Sequence, residues 1–452
     1  MTYSERLNAV IPGGAHTYSR GDDQYPSNAP QILERGLGAY SFDPEGKKFL
    51  DYGMALRAVN IGYAEESIND AAIRQMRNGN NLTRASLIEL EAAELFVSLI
   101  DSVDMVKFTK NGSTATSAAV KLARAYTGRK LVARCRQHPF FSYDDWFIGS
   151  TEMPLGVPSE TGALTKLFDY NNLDSLESLE TQFPGQLACV IMEPAAMECP
   201  SIGLYSVGCC GKEKCERQYQ TSSSNFLQRV QKFCKRNGIV FILDEMITGF
   251  RWDLKGAQHF YGVDPDLSTF GKAMANGFSV GAVAGKREIM KLGSIDTPGA
   301  ERLFLLSTTH GAEMSSLGAF VRTVQMMQEE PVIDHLWSYG ASLLSTFRRI
   351  AADKGIGENI VAAGPAINPY YLILDPNGKV SFELRTLFSQ EMIKCQVLMP
   401  FLTFCYRHGA KELAITEEAL SHSFDILRRA LDEGVDKYLQ GPVIRPVFRR
   451  FN

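Results

Sequence analysis

Residues 239–251 read IVFILDEMITGFR, in which five apolar residues run directly into an aspartate and a glutamate. A short, unbroken apolar run of this kind is typical of a strand buried inside a parallel sheet. A carboxylate at the end of such a strand loses its hydration unless a cation or a hydrogen-bond donor meets it. Asp244 is therefore predicted either to hold a ligand group or to form an ion pair with a nearby arginine such as Arg251.

The flanking sequence alternates strands and helices. Upstream, the apolar run at 187–192 predicts another buried strand, and residues 226–237 show the spacing of a helix that Gly238 ends. Downstream, residues 267–270 predict a further strand. Strands separated by helices imply right-handed crossovers and a mostly parallel sheet covered on both faces. The predicted fold class is α/β, with ligands at the carboxyl ends of the strands.

The length of the chain predicts more than one domain. At 452 residues, a large domain and a smaller one are expected. From about residue 313 the pattern changes to long helices with short strands between them. We place an N-terminal segment that joins the small domain at 1–55, a large domain at 56–305 and a small α+β domain at 306–452.

Charge and composition narrow the choice of partners and compartment. A formal charge of −4 without a basic tract argues against nucleic acid or a membrane as a partner. Glu5 and Arg6 stand where a secretory signal would need its apolar core, and no run reaches membrane-spanning length. We expect a cytoplasmic protein. Nine cysteines, an odd number, favour reduced thiols over a disulfide scaffold.

A cysteine-rich stretch at 199–222 resembles an insertion. Its four cysteines lack the paired C-x2-C spacing of usual zinc sites. We expect a lid or a dimer-contact loop and no metal, with a zinc site as the alternative. The cysteines are Cys199, Cys209, Cys210 and Cys215.

Two further strand ends carry chemical groups. After a predicted strand at 105–108, Asn111-Gly112-Ser113-Thr114 opens an alanine-rich helix. Its backbone N–H groups, hydroxyls and helix dipole suit a phosphate, although a plain helix cap would have the same residues.

Lys272 follows the predicted strand at 267–270, within FGKAMANGFSVG at 270–281. A lysine partly withdrawn from water becomes a nucleophile toward carbonyl carbon, whereas a surface lysine is the alternative. With Asp244 and the 111–114 turn, it completes a phosphate cradle, an acid for a ring nitrogen and an amine. Pyridoxal 5′-phosphate (PLP) requires this set of groups.

The order and spacing of these motifs resemble the class III aminotransferases of fold type I, most closely the branch that contains glutamate-1-semialdehyde aminomutase. ILDEMITGFR with a lysine about 28 positions after its aspartate is the most specific feature. The resemblance implies a PLP-binding large domain with a mostly parallel sheet. The matching stretches, spread over nearly the whole chain, are PGGAHTYSR, FDPEGKKFLDY, NGSTATSAAVKLARAYTGR, IMEPA, ILDEMITGFR and FGKAMANGFSVGAVAGKREIM.

The resemblance also implies residue roles. Lys272 would form the Schiff base with PLP and move protons, and Asp244 would pair with the pyridinium nitrogen. Thr308 would reach the phosphate of a second subunit, so a homodimer with shared active sites is implied. The cofactor-binding residues implied in this way are Gly112, Ser113, Thr114, His138, Phe140, Glu193, Asp244, Met246, Lys272 and Thr308.

The chain departs from the family at the face of the cofactor ring. Where the family has an aromatic residue before His-Gly, this chain has CRQHPFFSYDDW at 135–146. His138, Phe140 or Phe141 could stack on the ring, and the two phenylalanines could equally fill a core.

It departs again around the substrate. Arg20 matches the arginine that binds the substrate carboxylate in the aminomutase branch, with a surface arginine as the alternative. Leu56 replaces a tryptophan and precedes Arg57, a possible second substrate cation. Cys405 or a neighbour replaces an active-site glutamate.

Altered pocket walls beside an intact cofactor site predict the same chemistry on a different substrate. We predict a PLP-dependent aminotransferase that moves an amino group from a small-molecule donor to a keto or aldehyde acceptor, with pyridoxamine 5′-phosphate as the intermediate cofactor form. Arg57 hints at an anionic or carbohydrate-like acceptor. The alternatives are an intramolecular aminomutase, a decarboxylase or racemase of the same fold, and a non-catalytic binding or assembly protein.

Overall fold

The computed structural model describes residues 1–203, 211–221 and 223–452. The strands are β1 (Arg35–Leu37), β2 (Tyr40–Phe42), β3 (Lys48–Asp51), β4 (Met105–Thr109), β5 (Leu131–Cys135), β6 (Thr165–Phe168), β7 (Leu187–Met192), β8 (Val240–Glu245), β9 (Leu267–Phe270), β10 (Gly281–Gly285), β11 (Ile360–Ala363), β12 (Tyr370–Ile373) and β13 (Val397–Leu398). The helices are α1 (Tyr3–Val10), α2 (Met54–Arg57), α3 (Glu66–Arg77), α4 (Leu87–Leu99), α5 (Gly112–Thr127), α6 (Asp145–Ile148), α7 (Ser159–Ala163), α8 (Leu173–Gln182), α9 (Lys212–Thr221), α10 (Phe226–Asn237), α11 (Gly256–Tyr261), α12 (Arg287–Met290), α13 (Met314–Glu329), α14 (Val332–Asp353), α15 (Phe382–Lys394) and α16 (Ala410–Glu433).

These elements belong to two compact units. Unit 1 contains Met1–Glu65 and Asp334–Asn452, and unit 2 contains residues 66–203 and Glu213–Ile333. The sequence predicts boundaries at 55 and 305, whereas the units change at 65 and 333. The difference has two causes. The chain at 52–61 is hydrogen-bonded to the stretch at 398–407 within unit 1, and α13 packs on α3 and α4 within unit 2.

Unit 2 is built on a seven-stranded sheet in the order β4-β10-β9-β8-β7-β5-β6. The pairs from β9 through β6 are parallel, and β10 runs antiparallel to both of its neighbours. Every residue of β5, β7, β8, β9 and β10 is buried, so alternate side chains are covered on both faces of the sheet. The predicted α/β class and mostly parallel sheet are confirmed.

Local sequence explains where the elements of unit 2 begin and end. The capping box of Ser86 and Glu89 starts α4, whose inward residues include Ile88, Ala92 and Phe96. Gly238, at φ 59°, adopts the left-handed conformation that ends α10, as the sequence predicted. The predicted strands at 187–192 and 267–270 are β7 and β9.

Unit 1 has a smaller sheet in the order β1-β2-β3-β13 and a separate β11-β12 hairpin. Helices α15 and α16 pack on each other. Around them lies an aromatic cluster in which neighbouring ring centroids are 5.2–6.2 Å apart. The cluster consists of Phe347, Tyr371, Phe388 and Phe424.

Three observations concern the membrane, metal and cysteine predictions. In the part of the chain that the structure describes, no helix has both the length and the apolar composition that a bilayer crossing requires. Across residues 1–203, 211–221 and 223–452, no three His, Cys, Asp or Glu side chains are grouped to hold a metal ion. Cys199 is disulfide-bonded, so the expectation of reduced thiols is wrong for that residue. Cys209 and Cys210 lie outside the described residues. Reduced thiols occur at Cys135, Cys189, Cys215, Cys234, Cys395 and Cys405.

Candidate active site

The three chemical groups singled out by sequence all lie in unit 2, at or just after the carboxyl ends of β4, β8 and β9. These strands run in the same direction, because β10 lies antiparallel to both β4 and β9. Their carboxyl ends therefore meet at one edge of the sheet, where ligands collect in open α/β folds.

Asp244 is a buried carboxylate at the end of β8. Its Oδ1 accepts a hydrogen bond from the backbone N of Met246 at 3.0 Å and another from Oγ1 of Thr269 at 3.0 Å. Burial raises the pKa of Asp244 to about 6, and the nearby Lys272 ammonium acts in the opposite direction. A cationic partner would restore the ionised form, as the pyridinium nitrogen of PLP does.

The adjacent Glu245 is structural: it hydrogen-bonds to the protein backbone and to Thr248. It is fully buried and accepts hydrogen bonds from the backbone N atoms of Ala257 at 2.9 Å and Gln258 at 2.8 Å, and from the Thr248 hydroxyl. Burial raises its pKa to about 7. Glu245 thus ties the start of α11 to the end of β8 and holds in place the strand end that carries Asp244.

Lys272 begins the turn that follows β9. Its backbone has φ 45°, a left-handed conformation that is uncommon for a residue other than glycine and is enriched at functional sites. The side chain is half-buried, and its charge lowers the pKa of Asp244, so the amine and the carboxylate belong to the same site.

Met246 lies between the cradle turn and the lysine turn. A Cβ atom at Gly112 would be 2.8 Å from its Sδ, and one at Gly271 would be 2.6 Å from the same atom. Both distances are shorter than real contacts allow. The two glycines therefore make room for Met246, and the cradle, Met246 and Lys272 converge on one place.

The predicted phosphate cradle is the first turn of α5. Asn111 caps it, since its Oδ1 accepts from the backbone N of Thr114 at 2.9 Å and from the Thr114 hydroxyl at 3.0 Å. Oγ of Ser113 accepts from the backbone N of Tyr143 at 3.2 Å. The N–H groups of Gly112 and Ser113 have no intrahelical acceptor at this position, which suits an anion. The helix cap by Asn111 therefore leaves the N–H groups of Gly112 and Ser113 able to bind a phosphate, so the two interpretations of residues 111–114 are compatible.

His138 is buried and neutral. Its Nδ1 accepts a hydrogen bond from the backbone N of Glu193 at 3.0 Å, and burial lowers its pKa to about 3. Its ring centroid lies 5.2 Å from Tyr170 and 6.0 Å from Phe141. Phe141 is buried and fills a core, as one alternative proposed, whereas Phe140 is 49% exposed.

Thr308 is exposed, in a segment of unit 2 that a local turn and a side-chain hydrogen bond hold. Its carbonyl accepts from the backbone N of Gly311 at 3.1 Å, and Nδ2 of Asn81 donates to the carbonyl of Thr309 at 2.9 Å. Sequence reasoning did not identify Asn81, because its partner lies 228 residues away.

The predicted substrate residues lie in unit 1. Arg20 is exposed and lines a cavity of about 520 Å³. Arg57 donates from Nε to Oδ1 of Asn368 at 2.9 Å and lies 5.1 Å from the Phe401 ring. The buried Cys405 places its Sγ 3.3 Å from Nδ1 of His408.

The residues of unit 2 fit PLP: a buried acid for its ring nitrogen, an amine beside that acid, an anion-binding helix start and side-chain-free glycines around Met246. Such a site on this sheet defines a PLP-dependent transferase of fold type I. The family model of the class III aminotransferases matches residues 22–199 and 215–367, more than half of the chain, and the chain belongs to this family.

Known proteins agree with that assignment. A 3-aminobutyryl-CoA aminotransferase of Cloacimonas acidaminovorans (strain Evry) is 29% identical over 435 residues, 95% of this chain and 98% of the relative. A glutamate-1-semialdehyde 2,1-aminomutase of Clostridium tetani (strain Massachusetts / E88) is 27% identical over 369 residues, 80% of this chain and 82% of the relative. The solved FumI protein of Sphingopyxis sp. MTA144, in its PLP internal aldimine form, is similar with a TM-score of 0.81 and 24% identity, over 95% of this chain and 97% of that one.

The predicted family, fold, cofactor and enzyme class are therefore confirmed. The protein is a class III PLP-dependent aminotransferase that acts on small-molecule amino donors and carbonyl acceptors. The aminomutase alternative is also represented among its relatives.

Proposed function

We propose that the protein transfers an amino group between two different molecules, with Lys272 and Asp244 as its catalytic residues. The convergence of Lys272, Asp244 and Met246 with the Gly112 turn carries this proposal. When bound, PLP supplies an electron sink that stabilises negative charge on the substrate carbon next to nitrogen. The residues described above supply the remaining functions.

Each residue has one role in this proposal. The Lys272 amine binds the cofactor and carries a proton to and from the substrate carbon. The Asp244 carboxylate keeps a proton on the ring nitrogen. Gly112 and Ser113, with Thr114 as their neighbour, hold the phosphate, and Thr114 itself donates to the Asn111 cap. Met246, His138, Phe140 and Glu193 complete the surroundings of the ring.

We further propose that Arg20 binds the carboxylate of the substrate. A guanidinium matches a carboxylate with two parallel hydrogen bonds. Arg57 remains the second proposed substrate cation, oriented by Asn368 and the Phe401 ring. Because the first relative acts on a 3-amino acyl thioester, the donors tested should include 3-amino as well as 2-amino carboxylates.

A homodimer that shares its active sites is part of the proposal. In unit 2, large apolar side chains of α3, α4 and the segment between them are exposed, as is Thr308, which would serve the partner's phosphate site. Light scattering should give the mass of a dimer, and Thr308→Ala should weaken PLP binding. The exposed apolar residues are Ile73, Met76, Leu82, Leu87 and Leu90. A cytoplasmic location, also proposed, is checked by cell fractionation.

The deciding experiment is an absorption spectrum of the purified, PLP-loaded protein during addition of single donors and then acceptors. Conversion of the bound cofactor to its amine form by a donor, and back by a separate acceptor, supports intermolecular transfer. An aminomutase, the second candidate because of the 27% identical relative, would instead convert one substrate into one isomer with no second reactant. No cofactor band after reconstitution would refute both and favour a binding role.

A further inference from the structure

Residues 54–57 of unit 1, the short element α2, form a left-handed turn without any glycine. The φ angles of Met54, Ala55, Leu56 and Arg57 are 40°, 48°, 59° and 71°. L-amino acids with a Cβ visit this region as single residues, and a run of four is held only where the surrounding structure imposes it.

Asp51 and Tyr63 impose it, and we call this pair the Asp51–Tyr63 latch. Oδ1 of Asp51 accepts from the backbone N of Gly53 at 2.7 Å and of Met54 at 3.2 Å. The Tyr63 hydroxyl donates to Oδ2 of Asp51 at 3.0 Å and accepts from the backbone N of Ala55 at 2.9 Å. Burial holds the pKa of Tyr63 far above its usual value, so the hydroxyl keeps the proton that it donates.

Tyr63 is itself fixed in place. Its backbone N donates to the carbonyl of Gly38 at 2.8 Å, and its carbonyl accepts from the backbone N of Gly38 at 2.9 Å. The latch therefore connects the left-handed turn to the chain beside β2, and the turn follows any movement of the Tyr63 hydroxyl.

The turn forms part of the wall of the 520 Å³ cavity that Arg20 lines. Ala55 and Leu56 contribute to that wall, together with apolar residues such as Leu398 and Pro400. Among the described residues that line it, Arg20 is the single cation. Both acids of the lining already accept hydrogen bonds from the protein, Asp22 from Ser4 and Asn8. This chemistry suits a carboxylate that carries an apolar chain.

We propose that the Asp51–Tyr63 latch determines substrate specificity: it holds Ala55 and Leu56 as an apolar wall that sets the length of the chain accepted on a carboxylate substrate. Asp51 and Tyr63 also line the cavity. The role proposed for them is that of positioning residues, which act through the turn. The inference rests on the proposed function because it takes the Arg20 cavity as the substrate-binding region.

The test compares Tyr63→Phe with Tyr40→Phe in the PLP-loaded protein. Tyr40 is a matched control, since its hydroxyl donates to Glu412 at 2.7 Å and it does not belong to the described cavity lining. Donors are straight-chain amino carboxylates from aminopropanoate to aminooctanoate. Because one methylene can change kcat/KM roughly tenfold, Tyr63→Phe should reduce the ratio between best and worst donors by about tenfold, mainly through KM. Tyr40→Phe should leave the ratio unchanged.

A second readout does not require catalysis. Unreactive carboxylates from propanoate to octanoate should raise the melting temperature of the wild type by amounts that depend on chain length, and that dependence should flatten in Tyr63→Phe. If Tyr63→Phe lowers the rise in melting temperature equally for all chain lengths, or does not lower it at all, the proposed role of the latch is wrong. If wild type fails to transfer amino groups from any donor, the proposed function fails, while the melting series still tests the wall.

Leu56→Ala guards against a Tyr63 variant that does not fold. It removes the wall without touching the latch and should by itself change chain-length preference. In the Leu56→Ala background, Tyr63→Phe should have little further effect on preference, because the latch acts through the turn. Fully additive effects, or an unchanged preference in Leu56→Ala, overturn the proposal.

Discussion

In unit 2 the groups assigned to the cofactor stand at the ends of regular strands, whereas in unit 1 the cavity wall is a turn of four left-handed residues. Asp244 is the second-last residue of β8, and Lys272 lies two residues after β9, so their placement comes from the sheet. Ala55 and Leu56 are placed by the side chains of Asp51 and Tyr63. The contrast indicates that the sheet positions the proposed catalytic residues, while a few side-chain hydrogen bonds set the shape of the unit 1 cavity. Four substitutions test this contrast.

Lys272→Ala should have the largest effect. Loss of the amine that binds the cofactor and moves the proton should lower turnover at least about a thousandfold, with no change in fold. Turnover and the cofactor absorption band are the measurements. The control is Lys255→Ala in the same unit, whose Nζ lies 3.0 Å from Asp101 in an exposed ion pair. A variant that kept a tenth of the wild-type rate would contradict the catalytic assignment.

Asp244→Asn should change the pH dependence of stability in the cofactor-free protein. Burial raises the folded-state pKa of Asp244 from 3.8 to about 6, so its stabilising contribution is complete below pH 4 and is lost as pH rises through 6. An asparagine has no such loss. The free energy of unfolding of the variant, relative to wild type, should therefore rise by about 2 kcal/mol between pH 4 and 7.

Denaturant melts at a series of pH values measure this difference. Asp101→Asn is the control, because the hydrogen bond from Lys255 lowers the pKa of Asp101. The free energy of unfolding of this variant, relative to wild type, should fall slightly as the pH rises. A difference that does not vary with pH would show that Asp244 is ionised in the cofactor-free fold, and would break the link between its burial and its cationic partner.

Gly271→Ala should weaken cofactor binding. The new Cβ would lie 2.6 Å from Sδ of Met246 and would displace that side chain, which should raise the Kd for PLP about tenfold. Fluorescence titration with PLP measures it. Met246→Ala in the same chain should restore part of the affinity, and Gly357→Ala, where the nearest atom is 3.7 Å away, should change nothing. If Met246→Ala restores none of the PLP affinity, Met246 is not the side chain for which the glycines make room.

Ala55→Gly should have the smallest effect and should stabilise the protein. A left-handed alanine costs about 1–2 kcal/mol and the added flexibility of glycine about 0.5–1 kcal/mol, so the net gain is about 0.5–1 kcal/mol. The matched Ala93→Gly in the right-handed α4 should instead destabilise by about 1 kcal/mol. Equal losses in the two variants would mean that the turn relaxes in solution.

Sequence alone could predict which strand ends and turns carry the residues proposed for the cofactor, because the signals are local. An apolar run followed by Asp244, a strand followed by Lys272, and a glycine turn before a helix each lie within a few residues. The sequence could not decide the state of His138, which depends on the backbone of Glu193 at a distance of 55 residues.

The sequence could not predict the unit 1 cavity either, because the hydrogen bonds that shape it join residues that are far apart in the chain. Residues 54–57 contain no glycine or asparagine that would signal a positive φ. The bond from Tyr63 to Asp51 spans 12 residues, and that from Arg57 to Asn368 spans 311. The unit boundaries shifted to 65 and 333 because contacts of this kind, and not composition, hold the intervening segments.

The antiparallel strand β10 has a consequence for synthesis. Among the described strands, β4 pairs with β10 alone, so the strand that leads into the proposed phosphate cradle has no partner strand until residues 281–285 exist. At ribosomal speeds of about 5–20 residues per second, the chain between β4 and β10 takes roughly 10–35 s to emerge. The nascent chain therefore carries Asp244 and Lys272 before the strand that precedes Gly112 has its partner, and we expect the cofactor to bind late in the synthesis of this protein.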